Sequence, residues 1–308
     1  MESINELKRE AEEAKERLKR DIVEVTEILG KLAEEAGEKG KTRAVEMMQQ
    51  VDQRIRETLE KVERRIDKAV AIATESAGDA GAIVSREMDL TDFTNISIGH
   101  AFKVDITQSD SYSISITANE NLIDHIDVTK SGNTLKISIQ PLHFAVRPTL
   151  EARITMPVLN KLRLAGATKG KVRGFKSQES FDLNLSGGST LEIDMEASDA
   201  RFEVSGASKF CGNIKVTDAE FVLSGASRAE LKGSANNVIL SAWGASKLDL
   251  ADFALNDTTI HLKGASQAAV NVHGRLDLDL SGCSRLKYTG NPVIQEVSVS
   301  GASTLNQR

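Results

Sequence analysis

In the second half of the chain a basic residue recurs three positions after a repeated glycine. Lys169, Lys209, Arg228, Lys247 and Arg285 stand there, Thr190, Gln267 and Thr304 fill the same position in other copies, and no acid occurs among them. Cations held at a fixed repeat can attract a linear polyanion by charge alone, so this column is the candidate binding stripe, with an anionic glycan as the ligand class. Glu192, Glu230 and Asp249 lie two residues further on and could instead pair with the cations across neighbouring copies.

The other chemistry-bearing residues form no set. His100, His125, His143, His261 and His273 are scattered and read as surface or turn residues. No His-Glu-x-x-His, Gly-x-Ser-x-Gly, P-loop or Cys-x-x-Cys pattern occurs, nor does a Gly-Gly-x-Gly-x-Asp calcium register. No catalytic, cofactor or metal site is expected, and the chain reads as not an enzyme.

The element that positions the stripe is a repeat. The glycines are Gly166, Gly187, Gly206, Gly225, Gly244, Gly264, Gly282 and Gly301, separated by 21, 19, 19, 19, 20, 18 and 19 residues. Four and two residues before each glycine the side chain is apolar, as in Phe221 and Leu223 or Val297 and Val299. That is the period of two of a strand with one buried face. An apolar residue resumes four positions after most of the glycines, as at Leu191, Phe210, Leu248 and Leu305, and Asp199, Asp218, Asn237 and Asp257 mark a second turn seven residues before theirs.

Strand, small-residue corner, strand and second corner close into one rung of a solenoid. The fold class is therefore mainly β, a right-handed parallel β-helix-like solenoid with rungs of about 19 residues. Equivalent residues stack in files about 4.8 Å apart. The serines two positions after the glycines, from Ser189 to Ser303, should form a hydroxyl ladder. Cys211 and Cys283 lie four rungs apart, about 19 Å at that spacing, and should be free thiols.

The first third is built differently. Residues 4–36 and 45–73 carry apolar stripes at three-and-four spacing, from Leu7 to Ala36 and from Val45 to Ala73, broken by GEKGK at 37–41. They predict an N-terminal α-helical hairpin or coiled coil over 1–76, packing on itself or on further copies. The small-residue stretch ESAGDAGAIVS leads out of it, with 77–85 as linker and 86–308 as the β domain.

A net charge of −6 disfavours a general nucleic-acid binder. No apolar run approaches the roughly 20 residues of a membrane span, and the start lacks the apolar core of a signal peptide. On these grounds the chain is expected in the cytoplasm.

The stretch REMDLTDFTNISIGHAFKVDITQSDSYSISITANENLIDHIDVTKSGNTLKISI, followed by ITMPVLNKLRLAGATK and the SGAS series, resembles the putative auto-transporter adhesin family with the head GIN domain. The resemblance spans residues 86–308. It implies a β-helix-like fold, a setting among exported or surface-attached bacterial proteins, and no catalytic residues to carry over. Charged helices stand where such proteins carry an export signal.

Two functions follow as expectations. The first is a non-enzymatic binding or scaffold protein that forms a homo-oligomer through its helices or through the open last rung, at Val297, Val299 and Leu305. The alternative is a cell-surface adhesin taking an anionic glycan, with a protein partner as another class. A carbohydrate-active β-helix enzyme comes third.

Overall fold

The computed structural model describes residues 82–140 and 148–307. The helical hairpin or coiled coil expected over 1–76 lies outside these residues, as does most of the linker. The strands begin at Ile83, inside the stretch read as linker.

Eight elements build the head of the coil. They are β1 (Ile83–Met88), β2 (Asn95–Ile98), β3 (Lys103–Gln108), β4 (Ser113–Asn119), the short helix α1 (Glu120–Ile123), β5 (Ile126–Ser131), β6 (Thr134–Ile139) and β7 (Leu150–Met156). The repeats follow as β8 (Lys161–Leu164), β9 (Lys169–Lys176), β10 (Phe181–Leu185), β11 (Thr190–Glu196), β12 (Ala200–Val204), β13 (Lys209–Lys215) and β14 (Asp218–Leu223). Next come β15 (Arg228–Ala242), β16 (Lys247–Leu262), β17 (Gln267–Val272), β18 (Arg275–Leu280), β19 (Arg285–Thr289), β20 (Val293–Val299) and β21 (Thr304–Gln307).

Each rung has two strands, so the solenoid has two walls. The first wall runs β5, β6, β2, β8, β10, β12, β14, the end of β15, the end of β16, β18 and β20. The second runs β1, β4, β7, β3, β9, β11, β13, the start of β15, the start of β16, β17, β19 and β21. β15 and β16 pass round the second corner without a break and join the walls. The repeats pair in parallel; antiparallel partners occur only at the head, at β1–β4, β4–β7 and β5–β6.

The alternation read from the sequence is what the walls bury. Leu183 and Leu185 face inward at full burial, as do Phe202, Val204, Phe221 and Leu223. Phe202 stacks on Phe221 at a centroid distance of 4.9 Å and tilts against Phe210 at 5.4 Å. Burying each ring is worth about 2–3 kcal/mol, and an aromatic contact adds about 0.5–1.5 kcal/mol.

Stacking explains the repeated glycine. At Gly225 φ is +73°, and a Cβ there would lie 2.7 Å from the carbonyl oxygen of Gly206, one rung below. The carbonyl cannot turn away, because it accepts a hydrogen bond from the amide of Ala226 at 2.8 Å. The first rung departs from this rule: His100 takes the glycine position with a φ of 69°.

The serine file differs from the ladder expected of it. Ser189, Ser227, Ser266 and Ser284 are fully buried. Their hydroxyls bond to main chain instead of to each other: Ser266 Oγ donates to the Lys263 carbonyl at 2.7 Å, Ser284 Oγ to that of Ser281 at 2.7 Å, and Ser227 Oγ to that of Val204 at 3.1 Å. A tight corner leaves its own carbonyls pointing inward, and a short hydroxyl is the nearest donor for them.

Candidate functional site

Each cation of the stripe opens, or lies at the start of, a second-wall strand, directly after a glycine corner that aims its main chain out of the core. The backbone register puts them in one file: Lys169 beside Thr190, Thr190 beside Lys209, Lys209 beside Arg228, and Arg228 beside Lys247. The file continues through Gln267 to Arg285 and Thr304. Lys169, Lys209, Arg228, Lys247 and Arg285 are all exposed. None of the five has a carboxylate of the described residues within ion-pair distance.

Lys103 extends the file below Lys169, although it precedes the repeat in sequence. It is neutralised by Glu151 at 3.0 Å. The pairing considered from sequence, with Glu192, Glu230 and Asp249, does not occur. Glu192 turns to Lys171, in its own file, at 2.9 Å. The hydrogen bond and charge of Lys171, with a smaller contribution from Arg173, hold the Glu192 carboxyl below the usual carboxylate range. Asp249 accepts a hydrogen bond from the Ala251 amide at 3.2 Å.

The arrangement is a line of cations along the corner with a partly acidic file two residues inward, roughly 7 Å away along the strand. Among the described residues no group of three or more His, Cys, Asp or Glu side chains is placed to hold a metal ion. No described helix is long and apolar enough to cross a membrane.

The family described as putative auto-transporter adhesin, head GIN domain, matches residues 92–292. The chain belongs to this family. No curated protein matches the chain. Solved structures share the head GIN fold. A protein named as a putative lipid binding protein from Parabacteroides distasonis has a TM-score of 0.70 at 19% identity, covering 74% of this chain and 97% of its own. A putative adhesin from Parabacteroides merdae has a TM-score of 0.69 at 17% identity, with the same coverage of 74% and 97%. A putative adhesin from Bacteroides fragilis has a TM-score of 0.55 at 19% identity, again covering 74% and 97%.

At the far end of the head GIN coil, β20 is paired with β18 and β21 with β19, and neither has a second partner among the described strands. Val297 and Val299 continue the two apolar files that are buried in every earlier rung, yet they are 53% and 44% exposed, because no described strand covers them. Leu305 is half-buried beside Leu286. Val293, at 66% exposure, and Ile294 also lie on β20 but outside the two apolar positions of the repeat, before the register shift at Leu276/Leu278.

Both cysteines are free, as expected. Cys211 is half-buried on β13, and that burial pushes its thiol pKa up. Trp243, exposed on the first wall beside Gly244, was also passed over. A signal for it existed: its file otherwise holds Ala165, Ser186, Ser205, Ser224, Lys263, Ser281 and Ser300.

Proposed function

We propose that this chain is a non-enzymatic binding protein of the adhesin type, which docks a linear anionic polymer along the cation file from Lys169 to Arg285. The observation that carries the reading is that five exposed cations share one register-aligned file and lack carboxylate partners among the described residues. Rungs repeat at about 4.8 Å, the same order as the repeat of an extended sugar chain, so successive acid groups can meet successive rungs. The family's description as adhesins favours a cell-surface setting over the cytoplasm expected from sequence alone.

The test is charge reversal in the full chain. Lys209→Glu, Arg228→Glu and Lys247→Glu together should abolish retention on immobilised polygalacturonate. The parent protein should elute at moderate salt, because exposed charges are screened beyond about 8 Å at physiological ionic strength. Retention that survives the triple reversal would remove the cation file as the site.

A second reading is favoured by the exposed last rung. One edge of β20 is unpaired among the described strands and lies beside exposed Val293, Val297 and Val299. Such an edge can pair with the same edge of a second copy. Sedimentation should then give a dimer that Val297→Lys with Val299→Lys dissociates; a monomer at high concentration would dispose of self-association through this edge.

A further inference from the structure

Trp243 is the single tryptophan of the chain. It is 46% exposed, and its main chain is committed to the corner: the amide donates to the Leu223 carbonyl at 3.0 Å, and the carbonyl accepts from Ser246 Oγ at 2.6 Å. Small residues serve at this position in most other rungs, so the corner does not require an indole. The fold holds the ring on a rigid element and leaves much of it in solvent.

The neighbourhood selects the kind of partner. Ile239 is exposed on β15, which ends one residue before Trp243, but it lies four residues back, about 13 Å at roughly 3.3 Å per residue. The two do not make the continuous apolar patch that marks a protein interface. Cations occupy neighbouring positions of the same corner instead. Lys247 follows the same corner, Arg228 stands beside Lys247 in register, and Lys263 follows Trp243 in its own file. All three are exposed and have no carboxylate partner among the described residues.

The rest of the first wall gives a contrast. In the file that contains Ile239, Lys161 pairs with Asp182 at 2.7 Å and Arg201 pairs with Glu220. Those charges are paired, whereas the cations of the Trp243 corner have no carboxylate partner among the described residues.

An indole offers an apolar face and an N–H donor. A pyranose ring bearing an acid group complements it: the C–H face stacks on the indole, a ring hydroxyl accepts from the N–H, and the acid meets the cations. We propose that Trp243 stacks a sugar ring of an anionic polysaccharide whose acid groups are held by Arg228, Lys247 and Lys263. This rests on the polyanion reading above and narrows it to a polymer of sugar acids.

Because Trp243 is the only tryptophan, its fluorescence reports one site. The full chain is titrated with polygalacturonate, inorganic polyphosphate and poly(U), and retention on each polymer is measured for the parent, Trp243→Ala and Trp243→Phe. Polygalacturonate should shift the emission, W243A should weaken its retention on the order of tenfold, and W243F should keep most of it. Polyphosphate, which has no C–H face, should be retained equally by all three proteins. Silent fluorescence, or full polygalacturonate retention by W243A, would overturn the stacking while leaving the cation file in place. A poly(U) response as large as that of polygalacturonate would also overturn it, since bases stack on aromatic rings too. A parent protein that retains none of the polymers would take down both readings.

Discussion

The two corners of a rung tolerate sequence very differently. At the glycine corner the backbone of each rung stands directly on the one below, so a Cβ on Gly206, Gly225 or Gly244 would come within 2.4–2.7 Å of a neighbouring carbonyl oxygen. At the other corner side-chain bridges join backbone hydrogen bonds such as that from the Asn236 amide to the Thr217 carbonyl at 2.7 Å. Asp218 Oδ1 accepts from the Asn237 amide at 3.1 Å and from Asn237 Nδ2 at 2.8 Å, and Asp257 Oδ1 accepts from the Arg275 amide at 2.8 Å. The register shifts at Asp194/Met195, Glu230/Gly233, Leu250/Ala254 and Leu276/Leu278 all fall away from the glycine corner. A positive φ directly above a neighbouring carbonyl favours glycine at Gly206, Gly225 and Gly244, whereas a side-chain bridge can be made by several residue types. The uneven spacing of the rungs is therefore absorbed on the side-chain side, and the cation file, anchored to the glycine corner, stays in line.

The largest effect should come from the glycine corner itself. Gly225→Ala combines a φ of +73° with the approach to Gly206, and should cost about 2–3 kcal/mol, read as a lower urea midpoint. An unchanged midpoint would mean that the corner opens freely.

A smaller effect of opposite sign is expected beside the second corner. Thr258 is 3% exposed, and its hydroxyl has no hydrogen-bond partner among the described residues, unlike the buried serines of the glycine corner. Thr258→Val should stabilise by about 1 kcal/mol, since it removes an unsatisfied polar group at nearly constant shape. Destabilisation would point to a partner for that hydroxyl and erase this difference between the corners.

The smallest effect belongs to the side-chain bridge. Asp218→Ala removes two solvent-exposed hydrogen bonds and should cost about 0.5–1 kcal/mol. A loss as large as that of Gly225→Ala would make the corners equivalent and refute the contrast.

Much of this was legible from the repeat. A fixed spacing becomes a file once rungs stack, so the alignment of Lys169 through Arg285 and the inward apolar pairs could be written down from residue numbers. The head could not. β2 and β3 lie between the rung of β6 and β7 and that of β8 and β9, so chain order and stacking order differ there. That arrangement depends on pairings between strands some 40 to 70 residues apart, which no local period encodes. Lys103 stands three residues after His100, as the other cations stand after their glycines, but its place below Lys169 depends on those same pairings.

Residue spacing alone specifies the rung, its two corners and which residues stack, because similar units under one backbone geometry superimpose. The stacked fold sets what each file does. It turned Glu192 to Lys171, gave Lys169, Lys209, Arg228, Lys247 and Arg285 no carboxylate partner among the described residues, and buried the serine hydroxyls on main-chain carbonyls instead of on one another. It also exposed Val297 and Val299, although their spacing matches that of buried pairs. Burial and charge pairing depend on the neighbours above and below, and those are set by the stack, not by the rung.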